Sequence, residues 1–221
     1  YLLLRNNLIT HIEPNNLISS RLFQIELNHN RISFLKENMF IMTNLMNIFL
    51  QDNFIERIES FSRFLLNMNT INLNRNKINF IESNAFSNFR RLKYLFISDN
   101  QIRNISFIQN LVSIITLDME NNRIDVICRN DLHRLVNLEN FDLKNNKIYF
   151  IEENSFRNLV KLKNLDLTFN KIKTVDQLLR IDMIVTLILN FNYIHSINPI
   201  INSNNTYMGL KKLEIRYNNI E

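Results

Sequence analysis

One glycine (Gly209), two prolines (Pro14 and Pro199), one cysteine and no tryptophan leave this 221-residue chain few of the usual devices for punctuating or stapling a fold. A single glycine cannot build a glycine-rich phosphate loop. Cys128 alone can close no disulfide within the segment, and its place after Ile127 favours a packed small thiol over a reactive one. His11, His29, His133 and His195 share no metal-ligand spacing with Cys128 or with one another. No serine stands in a nucleophile-elbow setting. The expectation is therefore a non-enzyme with no catalytic residue, metal or cofactor. No signal peptide is evident, and the longest apolar run, around Ile184–Leu189, is far short of the roughly 18 residues that cross a bilayer. The net charge of +5 draws on short clusters, Arg90, Arg91 and Lys93 and also Lys211 and Lys212. Acidic residues interleave the rest, so a solvated surface is expected and not a nucleic-acid partner.

What the chain does have is asparagine at a nearly fixed interval. Asn7, Asn30, Asn53, Asn76, Asn100, Asn122, Asn146, Asn170, Asn192 and Asn218 follow one another at 22 to 26 residues, mostly 23 or 24. Each ends the frame LxxLxLxxNxI. Five residues before the asparagine stand Leu2, Ile25, Ile48, Ile71, Leu95, Leu117, Phe141, Leu165, Leu187 and Leu213. Three before it comes a second aliphatic series, from Leu4 to Ile215. Alternate apolar positions over a short run predict a strand with one buried face. Such a strand buries too little alone, but stacked in parallel with its copies it forms one wall of a continuous core.

A period of 20 to 29 residues with this frame is the leucine-rich repeat signature. It predicts an α/β solenoid of about ten repeats over residues 1–221, with a parallel sheet roughly 50 Å long at about 4.8 Å per strand. Past each asparagine, isoleucine at the second position and an aliphatic residue at the fifth turn the chain back across the core. A second spine follows ten residues on: Leu17, Phe40, Phe86, Leu132 and Phe156. In three units it falls eight residues on instead, at Phe61, Ile108 and Leu178, and two of these are the 22-residue units. Their return arc is expected to be shortened and the arcs generally to be irregular or short helical turns. An unpaired buried amide is costly. The ten asparagines are therefore expected to form a structural ladder, bonding backbone groups of their own turn and of a neighbouring one. The chain starts in register and stops partway through a unit, which reads as a fragment lacking both caps.

The full frame FxxLxxLxxLxLxxNxIxxI, seen in AFSNFRRLKYLFISDNQIRNI and SFRNLVKLKNLDLTFNKIKTV, resembles the 24-residue typical repeats of extracellular animal proteins. Arthropod chaoptin, Toll receptors and Slit share it, and an uninterrupted run of ten fits the chaoptin type. The resemblance implies a right-handed horseshoe, a sheet on its concave side, and protein ligands bound there in adhesion or receptor recognition. It implies a secreted or cell-surface location, with any membrane anchor outside this segment. An intracellular repeat scaffold or adaptor is the alternative, and an enzyme carrying a repeat appendage a more distant one. The 26-residue ninth unit, near Pro199 to Thr206, is expected to protrude.

Candidate contact residues follow from the strand frame. Four positions before the asparagine, Asp118, Asp142 and Asp166 fall on consecutive strands about 5 Å apart, where like charges repel. Lys144, Lys163, a cation or a basic partner could offset them. A solvated consensus column is the simpler reading, a partner-facing acidic patch the sharper one, and calcium would want six or more oxygens. Phe49 and Phe96 share that column. One position before the asparagine, Phe169, Phe191 and Tyr217 form an aromatic row, either packing or an interface anchor. Two glycosylation sequons start at Asn104 and Asn204, no more than chance supplies among this many asparagines.

Overall fold

The computed structural model describes residues 1–13, 17–35, 39–61, 64–178, 181–198 and 209–221. Ten short strands, one per asparagine, form one parallel sheet in which each pairs with its sequence neighbours. Nine carry three residues, from Gln24–Glu26 to Lys212–Glu214, and the first is Leu2–Leu3. Register is unbroken: Leu117 lies beside Leu95 on one side and Phe141 on the other. The middle residue points inward and is buried in eight of these strands, from Ile25 to Leu187, while both flanking residues stay partly or fully accessible. The pleat thus splits each strand into one core residue and two surface residues.

Five places beyond the middle residue, the amide of each coil after the first turns back to the coil before it. Asn146 Nδ2 donates to Leu143 O and Lys144 O of its own turn (3.0 and 3.2 Å) and to Met119 O of the previous one (3.0 Å). Its Oδ1 accepts the Ile124 N–H of that previous coil at 3.0 Å. Asn30, Asn53, Asn76, Asn100, Asn122, Asn170, Asn192 and Asn218 repeat the pattern in their own coils. Eight of the ten are buried. Asn7, in the first coil, is exposed and reaches only Leu4 O and Arg5 O of its own turn.

The turn that delivers the amide needs left-handed backbone just before it. Positive φ, 52° to 59°, occurs at the preceding residue in all ten coils. Glycine adopts this region freely, and asparagine or aspartate do so at modest cost. Here Asn6, Asp52, Asp99, Asn121 and Asn145 fill half the positions, but His29, Arg75, Phe169, Phe191 and Tyr217 fill the others.

On the return side, coil length selects the local structure. The two 22-residue coils cross with 3₁₀ helices, Ser106–Asn110 and Asp176–Leu178. A 3₁₀ helix advances about 2.0 Å per residue against 1.5 Å in an α-helix, so fewer residues cover the same arc. Longer coils use turns, a one-turn α-helix at Arg129–Leu132 and two-residue strands. Those strands pair in parallel as Leu17–Ile18 with Phe40–Ile41, Arg57–Ile58 with Phe80–Ile81, and Val126–Ile127 with Phe150–Ile151, a second ordering the repeat frame does not disclose. The spine residues Phe40, Phe61, Phe86, Ile108, Leu132, Phe156 and Leu178 are all buried. Phe61, Phe86, Phe89 and Phe107 meet ring to ring at 5.4 to 6.0 Å, where their edges and faces interlock.

Asn146→Ala strands the buried Ile124 N–H and removes one of the two bonds at each of Met119 O and Leu143 O, which keep Asn122 Nδ2 and Asn170 Nδ2 as donors. Since one unmet buried group costs about 1–3 kcal/mol and the other lost bonds add less, the variant should lose roughly 1.5–4 kcal/mol in urea unfolding followed by circular dichroism. An unchanged midpoint would show that the ladder contributes nothing to stability.

Candidate functional site

The accessible residues of the strands make two columns along the sheet. Four places before the asparagine the column runs Glu26, Phe49, Asn72, Phe96, Asp118, Asp142, Asp166, Ile188 and Glu214, all partly exposed. Phe49 and Phe96 flank Asn72 on the strands to either side of it. Toward the C-terminal end, Asp118, Asp142 and Asp166 sit directly opposite one another. With Asn140, Asn164 and Thr186 they line a shallow depression of about 300 Å³.

These carboxylates are anchored and partly desolvated. One oxygen of each accepts the N–H two residues on, from Glu120, Lys144 and Thr168, at 2.8 to 3.1 Å. Neither lysine suggested by the sequence pairs with them: Lys144 Nζ lies 2.8 Å from Glu120 and Lys163 Nζ 2.7 Å from Glu139. Burial, with the Asp166 and Asp118 charges added, pushes the Asp142 carboxyl up to about 6. Burial also raises Asp118. The middle carboxyl therefore holds its proton to a higher pH than an ordinary aspartate. Among the described residues no group of three or more His, Cys, Asp or Glu side chains is placed to hold a metal ion.

The left-handed residues form a separate ladder at the rim, where the chain leaves the sheet, and its chemistry changes along the stack. Near the N-terminus it is ionic. Arg75 makes a bidentate contact with Asp52 (2.7 and 2.8 Å), which holds the Asp52 carboxyl below its usual range, and His29 Nε2 lies 3.6 Å away on the other side. In the middle it is amide: Asn121 Nδ2 donates to Asp99 Oδ1 at 2.7 Å, and Asn145 Nδ2 to Asn121 Oδ1. Over the last three coils it is aromatic. Phe169, Phe191 and Tyr217 stack nearly parallel, with centroids 4.2 and 4.3 Å apart and planes 13° and 12° from parallel. The rings are 46%, 39% and 72% exposed. Left-handed backbone costs such residues about 1–2 kcal/mol each, and each of the two stacked pairs returns roughly 0.5–1.5 kcal/mol, so the strain of the three is offset only in part. The sequence places these three rings in a row, but their mutual stacking and their position at the rim, off the strand columns, appear only in the structure.

The remaining sequence candidates disperse. Cys128 is exposed, not packed as its neighbour Ile127 suggests, because it opens the Arg129–Leu132 helix turn and its N–H bonds Asp131 Oδ2 at 3.0 Å. Partial burial and the Asp131 and Glu152 carboxylates push its thiol up, away from the reactive thiolate. Asn104 is exposed on the return side and its Oδ1 accepts the N–H of Ser106, the sequon serine, at 2.8 Å. Asn204 and the long arc from Pro199 to Thr206 lie outside the described residues.

Asp142 has a folded pKa raised above its unfolded value near 3.8, so the folded state favours its proton. The protonated side chain's contribution is fully present below about pH 4 and is lost as pH rises through about 6. Asp142→Asn should therefore be more stable than wild type at pH 7.5, by about 1–2 kcal/mol after allowance for solvent screening, and the gain should vanish at pH 4. Denaturant unfolding at both pH values checks this, and a gain that does not depend on pH would contradict it.

Comparison with known proteins places this geometry. The leucine rich repeat family model matches residues 43–102 and 112–172, and a two-copy leucine rich repeat model matches residues 90–129. No curated protein sequence matches. Among solved structures, a leucine-rich repeat protein of Leptospira interrogans superposes with a TM-score of 0.77 at 24% identity, over 90% of this chain and 50% of its own. TLR13 in its complex with ssRNA13 gives 0.69 at 24% identity, over 88% of this chain and 32% of its own. The internalin InlF of Listeria monocytogenes gives 0.68 at 20% identity, over 91% and 63%. At these identities the likeness is one of fold, and this chain spans less than two thirds of each. The family models cover more than half of the chain, and with one parallel strand and one asparagine rung per coil it belongs to the leucine-rich repeat family.

Proposed function

We propose that this chain is the protein-binding segment of a secreted or cell-surface leucine-rich repeat protein, acting in adhesion or receptor recognition through the outer face of its sheet. The reading is carried by one contrast between adjacent columns. The inward middle residues from Ile25 to Leu213 are all aliphatic or phenylalanine, whereas their outward neighbours change from Glu26 through Phe49 and Phe96 to three aspartates and Ile188. A core constrains only the first column, so the variety of the second is free to match a partner. Such a site binds by a pre-formed surface, which lowers the ordering cost of association. Phe49 and Phe96 would supply apolar anchors, and Asp118, Asp142 and Asp166 would meet basic side chains. The acids along this face disfavour nucleic-acid phosphates as its ligand.

Similarity to the extracellular typical class of repeats supports the surface location, with the chaoptin type favoured. The exposed sequon at Asn104 is compatible with it, and any membrane anchor would lie outside this segment. No helix among the described residues is long and apolar enough to cross a membrane.

The test is to probe an array of purified extracellular-domain proteins with the tetramerised chain, then repeat it with Phe49→Ala/Phe96→Ala and with Asp142→Lys. Binding to at least one ectodomain is expected, weakened roughly tenfold by the phenylalanine pair if these are hot spots. Loss of the interaction in neither variant would remove the sheet face as the site.

A further inference from the structure

We propose that the C-terminal rim, built on the Phe169–Phe191–Tyr217 stack, is a second docking surface, separate from the sheet face, for an acidic polypeptide segment bearing apolar side chains. Three observations carry it. The stack is an exposed apolar ridge, continuous over three coils. It is also held on left-handed backbone at all three positions, where Asn121 and Asn145 in the coils before show that a less strained residue suffices. Strain retained at an exposed position points to use.

The third observation is charge. Two residues after each ladder residue runs a parallel exposed column: Arg123, Lys147, Lys171, Tyr193 and Asn219. Over the last five coils the two columns together hold three cations and no acid. Lys171 and Tyr193 line one depression of about 480 Å³ with the three stacked rings. None of Arg123, Lys147 and Lys171 is in an ion pair among those formed by described residues. This contrasts with the other end of the ladder, where Asp52 takes Arg75 and His29.

Ring geometry decides between two kinds of anionic partner. Nucleic-acid bases bind by stacking on aromatic faces. Here the inner faces are already covered by the neighbouring rings at 4.2 and 4.3 Å, so the ridge presents mainly ring edges. Ring edges carry the positive part of the aromatic quadrupole. Edges and ammonium groups together suit carboxylates interspersed with apolar side chains, and do not suit a stacked base.

The proposal stands apart from the sheet-face reading, because the two surfaces share no residue and are probed by different variants. The probe is a fluorescent Glu/Tyr random copolymer, titrated with the intact chain by anisotropy at 50 and 300 mM NaCl beside poly-Glu of equal length and a 20-mer of thymidylate. The copolymer should bind, and poly-Glu more weakly. Phe191→Ala/Tyr217→Ala should weaken the copolymer roughly tenfold, the scale of an anchor residue. Lys147→Glu/Lys171→Glu should do as much and flatten the salt dependence, with circular dichroism unchanged. Phe49→Ala/Phe96→Ala should leave it unaltered. The proposal fails if poly-Glu binds as tightly as the copolymer, or if the charge-reversal variant binds as wild type. It also fails if the thymidylate binds more tightly and depends on Tyr217, which would make the rim a nucleic-acid surface. Sedimentation showing a dimer abolished by Phe191→Ala would make the occupant a second copy.

Discussion

The backward reach of the asparagine amide is the interaction on which the rest of this molecule depends. Each amide after Asn7 satisfies its own turn and, through Nδ2 and Oδ1 together, closes the backbone of the coil before it. A coil in isolation would leave that N–H unmet and its aliphatic residues open to water on both flanks. Stability therefore resides in the interfaces between neighbours, as in other one-dimensional repeats. The sheet ladder and the shared aliphatic core follow the same rule, since strand and core are both completed only by stacking.

The amide can be delivered only if the residue before it turns left-handed, and that requirement has a consequence for the surface. Ten side chains are thrown outward in a column at one rim, at a spacing close enough to touch. Backbone geometry fixes where they are but leaves their chemistry open. Neighbours have then matched one another: carboxylate with guanidinium, amide with amide, ring with ring. Each match recovers part of the cost of the strained turn. The rim ladder is thus a by-product of the core ladder, and the exposed aromatic stack is the part of it with most capacity to bind something else.

On the sheet face the same regularity creates a difficulty. Perfect register sets identical residues side by side, which suits leucine but not aspartate. The structure answers by bonding each carboxylate to its own turn and by favouring a proton on Asp142, the middle of the three, and not by recruiting Lys144 or Lys163. Both lysines are committed to glutamates one coil away, whose positions depend on side-chain reach and not on the repeat frame.

The interval between asparagines and the aliphatic frame were enough to read the parallel sheet, the inward residues and the buried spine, because a stacked repeat makes sequence neighbours into spatial neighbours at fixed offsets. Even the shortened arcs at Ile108 and Leu178 were visible as a change of spacing. The exposure of Cys128, the two-residue strand pairs of the return side and the partners of Lys144 were not visible. Those depend on how side chains one coil apart meet across distances of a few ångströms. Sequence alone determined that this chain is a solenoid and which residues face its core, since periodicity and hydrophobicity suffice for that. Only the tertiary structure decided that Phe169, Phe191 and Tyr217 close on one another at the rim, because stacking is a property of three adjacent coils and of none of them singly.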